Sequence, residues 1–186
     1  EVEVDPKKVE LGRRLYFDTR LSGDGTLSCA SCHSFDKGGA DAAKVSTGIR
    51  GQQGPINSPT VLNAHLNFVQ FWDGRAKDLE EQALGPVENP VEMGATWPEV
   101  VERLKADEKM VEWFDALYED GITKENIAAA IAEFERSLST PAPFDRYLQG
   151  DEDAISEKAK RGLDLFVKTG CVSCHTGPGL GGTMFQ

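Results

Sequence analysis

Two copies of one short pattern hold most of the residues able to do chemistry. Cys29-Ala30-Ser31-Cys32-His33 and Cys171-Val172-Ser173-Cys174-His175 both read C-x-x-C-H. The chain has four cysteines and three histidines, and these two stretches contain every cysteine and two of the histidines. The spacing has a chemical meaning. Thiols three positions apart can each add to a vinyl group of one porphyrin, and the next residue then brings an imidazole beneath the iron. A redox-active C-x-x-C pair or a zinc knuckle is the blander alternative, but neither needs histidine directly after each second cysteine. The pattern therefore predicts two covalently bound c-type haems. Cys29, Cys32 and His33 hold one, Cys171, Cys174 and His175 hold the other, and His33 and His175 are the iron ligands.

Composition narrows the setting. At 186 residues and 39% hydrophobic content the chain can build one large or two small cores. A formal net charge of −11 argues against nucleic acid and suits a basic electron-donor partner. No apolar run approaches a membrane span. There is no charged-then-apolar leader, so any export signal is expected to have been removed. Haem on paired thiols implies a periplasmic or equivalent home.

The elements that must position the motifs are helical. Asp5-Pro6 predicts a helix start with Val9, Gly12, Leu15 and Tyr16 on one face, broken at Ser22-Gly23-Asp24-Gly25. Lys37 to about Pro59 reads as a long loop draped over something, and Trp72-Asp73-Gly74-Arg75 reads as a turn. Leu79 to Leu84 predicts a short helix stopped by Gly85-Pro86, followed by irregular backbone to Gly94. Thr96 with Glu99, Asp107 and Thr123 each cap a further helix, with Met110, Phe114, Ile127, Ile131, Phe134 and Leu138 among the inward residues. Thr140-Pro141-Ala142-Pro143 is expected to stop the last of these. Ser156 caps a final helix with Ala159, Leu163, Phe166 and Val167 inward. Gly12-Arg13-Arg14-Leu15-Tyr16 and Gly162-Leu163-Asp164-Leu165-Phe166 precede the two motifs as an internal repeat, the first copy carrying an insertion. A mainly α fold of two cytochrome c-like haem domains follows. Residues 1–150 form the first domain, and 151–186 begin a second that is expected to be incomplete. Met184 lies too near His175 in sequence to reach the opposite haem face.

Several longer blocks carry a resemblance. Leu21-Ser22-Gly23-Asp24-Gly25-Thr26-Leu27-Ser28-Cys29, Gly54-Pro55-Ile56-Asn57-Ser58-Pro59-Thr60, Phe71-Trp72-Asp73-Gly74-Arg75, the run from Gln82 to Met93 and Thr140-Pro141-Ala142-Pro143-Phe144-Asp145-Arg146 are similar to the bacterial di-haem cytochrome c peroxidase family. They occur in family order across the whole chain. The resemblance implies reduction of hydrogen peroxide to water with electrons from a small cytochrome c or copper protein, and it leaves a homodimer open. It implies that the first haem is peroxidatic and the second receives electrons.

By the same resemblance Glu92 is the distal acid–base residue, Gln82 orients peroxide, and Trp72 stands between the haems. Asn57 resembles a side-chain ligand of an interdomain calcium, an oxygen site suited to a hard cation. The plain readings are a solvated carboxylate for Glu92 and a core indole for Trp72. One departure matters. Many members place a histidine near Thr47-Gly48 as a resting sixth ligand, but here the loop reads Thr47-Gly48-Ile49-Arg50-Gly51, and the spare histidine, His65, reads as a packing residue. The first haem is therefore expected to lack a protein sixth ligand. The rivals are a di-haem oxidase of protein side chains, like the methylamine dehydrogenase maturation enzyme, and a di-haem electron carrier or sensor.

Overall fold

Asp5 opens the first helix. Its Oδ1 accepts the Lys7 N–H at 2.9 Å, and Pro6 sits where a missing N–H is harmless. Helix α1 then runs Pro6–Tyr16. The computed structural model describes residues 2–181. After α1 come α2 (Cys29–Cys32), α3 (Leu79–Glu88), α4 (Trp97–Lys105), α5 (Glu108–Asp115), α6 (Lys124–Arg136), α7 (Pro143–Leu148) and α8 (Glu157–Lys168), joined by loops and 3-10 turns. Among the described residues there are isolated β-bridges but no strand. The fold is mainly α, as the sequence predicts.

The caps act where they were expected. Glu99 Oε2 accepts the Thr96 N–H at 3.1 Å, Asp107 Oδ1 the Lys109 N–H at 3.1 Å, and Thr123 Oγ1 the Asn126 N–H at 3.1 Å. Each satisfies an orphan donor at a helix start. The main core lies between α1 and α6. Leu11, Leu15 and Tyr16 on α1 are buried with Ile127, Ala130, Ile131 and Phe134 on α6. Gly12 allows the crossing: a Cβ built there would lie 1.8 Å from the Ala130 carbonyl oxygen. Helices α3, α4 and α5 add Val87, Val100, Leu104, Met110 and Phe114 to the same core.

Two expectations are corrected and one short helix is added. Helix α3 does not stop at Gly85-Pro86 but runs to Glu88 with Pro86 inside it. Proline there removes one hydrogen bond, while the freed end of the helix is held from outside. Met93 N–H donates to the Pro86 carbonyl at 3.2 Å and Ala95 N–H to that of Val87 at 2.9 Å. Pro143 does not simply end structure but opens α7, as proline at a first helical position does; the Ala142 N–H donates to Asp145 Oδ2 at 2.6 Å. The apolar stripe of α8 is not inward. Ala159 and Val167 are exposed, and Leu163 and Phe166 are only half-buried. Met184 lies outside the described residues.

The repeated glycines differ accordingly. Gly12 is in close contact, whereas nothing lies within 4 Å of a Cβ built at Gly162. We expect Gly12→Ala to lower the unfolding free energy by about 1–3 kcal/mol, or more. Gly162→Ala in the same chain should be neutral or stabilising by up to about 1 kcal/mol. Denaturant unfolding followed by circular dichroism reads both, and equal midpoints would refute the crossing as the determinant.

Candidate functional site

The first C-x-x-C-H motif folds where its sequence says it should turn. Ser28 precedes α2 and its N–H donates to Ser31 Oγ at 3.0 Å, closing the one-turn helix that brings Cys29 and Cys32 together. His33 follows at once. Its Nδ1 lies 3.0 Å from the Pro59 carbonyl oxygen and 3.3 Å from that of Gly39. Two carbonyls can only accept, so Nδ1 carries the hydrogen and Nε2 keeps its lone pair. Burial also lowers the imidazole pKa, favouring the neutral ring. An oriented, neutral imidazole with a free Nε2 is what an iron ligand must be. Tyr16 secures it from α1, its hydroxyl donating to the His33 carbonyl at 2.7 Å.

These residues open onto a cavity of about 1320 Å3, solvent at its mouth included. Cys29, Cys32 and His33 line it together with Trp72, Gln82 and Glu92, so six of the residues singled out in the sequence meet in one place. Burial pushes the Cys29 thiol up to about 12 and raises Cys32 too. Paired thiols, a free imidazole nitrogen and a largely apolar wall fit a haem.

Glu92 is not a solvated surface carboxylate. It is half-buried in the turn after α3, where Asn89 Nδ2 donates to its Oε1 at 2.7 Å. Burial raises its pKa, partly offset by the nearby Arg75 guanidinium and the Asn89 amide. The loop at residues 47–52 fixes the backbone of this turn. Ile49, 2% exposed, donates its N–H to the Glu92 carbonyl at 2.7 Å. Gln52 Nε2 donates to the Pro90 carbonyl at 2.9 Å. A Cβ at Gly48 would lie 2.0 Å from the Val91 carbonyl oxygen, so only glycine permits this approach. The loop that carries no histidine is thus a brace for Glu92.

The other candidates divide. Trp72 is 62% exposed, which corrects the core-indole reading; its Nε1 donates to the Asn57 carbonyl at 3.2 Å. Asn57 itself is exposed and outside the cavity lining. Among the described residues no three His, Cys, Asp or Glu side chains converge as a metal site. His65 is not among the cavity residues, whereas Ala64 is; its Nε2 lies 3.5 Å from Ser139 Oγ. In the second motif His175 Nδ1 lies 3.2 Å from the Leu180 carbonyl, echoing His33, yet Cys171, Cys174 and His175 are all exposed.

Sequence reasoning missed two cavity residues. Arg75, read only as part of a turn, places its guanidinium 3.5 Å over the Phe71 ring. Glu135 is buried on α6. The signal for Glu135 was present, since Ile127, Ile131 and Glu135 recur every fourth residue on the buried face.

A family model described as di-haem cytochrome c peroxidase matches residues 6–153. The chain is 47% identical to cytochrome c peroxidase Ccp of Escherichia coli (strain K12), the match covering 100% of this chain and 40% of that protein. It is 48% identical to cytochrome c551 peroxidase of Nitrosomonas europaea, with 95% and 54% covered. The crystal structure of a MauG-like protein associated with microbial copper homeostasis matches with a TM-score of 0.86 at 37% identity, covering 96% of this chain and 54% of that one. The chain therefore spans about half the length of the relatives it matches. With a thiol pair, an oriented histidine and a carboxylate facing one cavity, and a family model matching residues 6–153, the chain belongs to the di-haem cytochrome c peroxidase family.

Proposed function

We propose that this chain carries the peroxide-reducing site of a periplasmic di-haem peroxidase fed by a small cytochrome c or copper protein. The observation that carries this is the meeting of His33, both thiols of the first motif and Glu92 in one cavity. Cys29 and Cys32 would tether the first haem covalently and His33 Nε2 would ligate its iron. A bound haem supplies a redox-active iron with a position at which peroxide oxygen can bind.

The protein's own part is proton handling and positioning. Hydrogen peroxide, two electrons and two protons give two waters, so a proton must pass from the inner peroxide oxygen to the outer one. Glu92 is the group for this, a half-buried carboxylate held at one oxygen by Asn89 Nδ2. Gln82, a donor and acceptor from α3 on the same cavity, orients the peroxide. Trp72 offers a conjugated side chain toward electrons arriving from a second haem on Cys171, Cys174 and His175. Asn57 is the proposed calcium ligand; because its carbonyl already accepts from Trp72 Nε1, an ion there would also restrain the indole.

The brace at residues 47–52 supports a first haem without a protein sixth ligand. The loop around Thr47-Gly48, in which the family resemblance leads one to expect a histidine, has none, and its Ile49 is tied to the Glu92 backbone. The enzyme would then need no reductive activation. A second reading, oxidation of protein side chains, is favoured by the likeness to the MauG-like structure. It differs in the distal ligand of the second haem.

We expect Glu92→Gln to cut peroxide turnover by about 10²–10⁴-fold with haem content unchanged; equal rates would remove Glu92 from the mechanism. Glu92 must be ionised to accept a proton, and burial raises its pKa. The acid limb of turnover in the wild type should therefore lie above the ordinary carboxylate range and vanish in the variant. The oxidised first haem should be high-spin and should bind carbon monoxide once reduced. A low-spin bis-histidine spectrum for it would exclude the open site.

A further inference from the structure

Glu135 takes no part in the chemistry above, yet it shares the cavity. It is 5% exposed, lies on α6 and lines the same wall space as Cys29 and Ile131. The one cation acting on it among the described residues is Arg136 of the same helix. A carboxylate so placed is an uncompensated buried charge, which proteins avoid by pairing it or by keeping it protonated.

Pairing is not on offer. The neighbouring cation, Arg136, is already engaged: its Nη2 lies 2.5 Å from Glu80 Oε1 of α3 and its Nη1 lies 3.3 Å from Glu133 Oε2. Tyr16 from α1 and Cys29 from α2 also face Glu135, and each feels its charge unfavourably. His65, in the 3-10 turn beside α6, interacts with Arg136 instead. Arg75 and Glu92 line the same cavity, but neither acts on Glu135 as strongly as Arg136 and Glu80 do. Burial therefore dominates and pushes Glu135 up to about 8, with Glu80 adding to the rise and Arg136 opposing it.

We propose that Glu135 is a redox-linked proton site of the haem on the first motif: its carboxylate takes one proton from solvent as that haem takes one electron from the external donor protein. The inference rests on the reading that Cys29, Cys32 and His33 hold a haem. The step balances. Ferric iron becomes ferrous with the donor protein's electron, one carboxyl O–H bond forms, and one O–H bond of a solvent hydronium ion breaks to supply the proton. The cause is electrostatic. An added electron removes positive charge from the macrocycle, withdrawing support from a buried carboxylate in a weakly screening cavity. The converse fixes the sign. As pH rises and Glu135 ionises, its negative charge favours ferric over ferrous iron and the potential falls. The site would hold a proton beside the haem for a reaction that consumes one proton per electron.

The test is the pH dependence of both haem potentials in the full-chain holoprotein, wild type and Glu135→Gln, from well below to well above pH 8. In the wild type one couple should fall by up to about 59 mV per tenfold change in proton concentration, the one-electron limit. In the variant that couple should be flat and the other unchanged. Redox-difference infrared spectra of the wild type alone should show a protonated-carboxyl band gained on reduction and shifted in deuterium oxide. Two pH-independent couples in the wild type, or the same slope in Glu135→Gln, would overturn the proposal. A protein whose mass shows no haem at Cys29 and Cys32 would overturn the reading beneath it instead.

Discussion

Helix α1 comes so near α6 that a methyl group at Gly12 would lie inside contact distance of the Ala130 carbonyl, and what the cavity contains follows from that approach. Ordinary helix pairs stand about 8–10 Å apart according to the side chains between them; here one side chain is absent. From α1 the Tyr16 hydroxyl can then donate to the His33 carbonyl. From α6 Ile131 and Glu135 can reach the cavity wall. Phe134 stacks edge-on to Tyr16 with ring centroids 5.1 Å apart, locking the two helices in register. A bulkier residue at the crossing would withdraw the histidine's support and the buried acid together, because both depend on the same gap.

Within the cavity one physical cause acts on every titratable group, and the outcomes differ by what stands beside each. Burial lowers His33 and raises Cys29, Cys32, Glu92 and Glu135, in each case favouring the neutral form. Neutral imidazole is the ligating form. The two acids part company. Glu92 has Arg75 nearby and an amide from Asn89, both of which support the ionised state. Glu135 has only Arg136, whose guanidinium is shared by Glu80 and Glu133. Two carboxylates in one cavity, given different neighbours, are thereby set up for different protonation states.

What could be read from the sequence was what local chemistry decides. The paired C-x-x-C-H motifs name a cofactor because thiol spacing and the adjacent imidazole are contained in five residues. The starts of α1, α4, α5, α6 and α8 were readable because Asp5, Thr96, Asp107, Thr123 and Ser156 cap their own first turns. The readings that failed depend on distant partners. Helix α3 passes through Pro86, and Met93 and Ala95, from beyond its end, supply donors to its last carbonyls. Pro143 reads equally as an end or a beginning until Asp145 is seen to cap it. The meeting of Gln82, Glu92 and Trp72 with the first motif came from resemblance, and no periodicity would have given it. Glu135 was the reverse case: its spacing marked it as inward, but an acid at an inward position is usually discounted.

The two motifs share one local geometry. Both place histidine Nδ1 against a backbone carbonyl, 3.0 Å for His33 and 3.2 Å for His175, so both rings are oriented as ligands by the same local turn. Around the first, a loop braced on the Glu92 backbone, a half-buried carboxylate and the wall of α6 close a cavity. The motif fixes attachment and the proximal imidazole, while the reaction at the iron is decided by what the rest of the chain brings to the other face. Around the first motif the chain places Glu92 and the loop residue Ile49, whose N–H holds the Glu92 backbone.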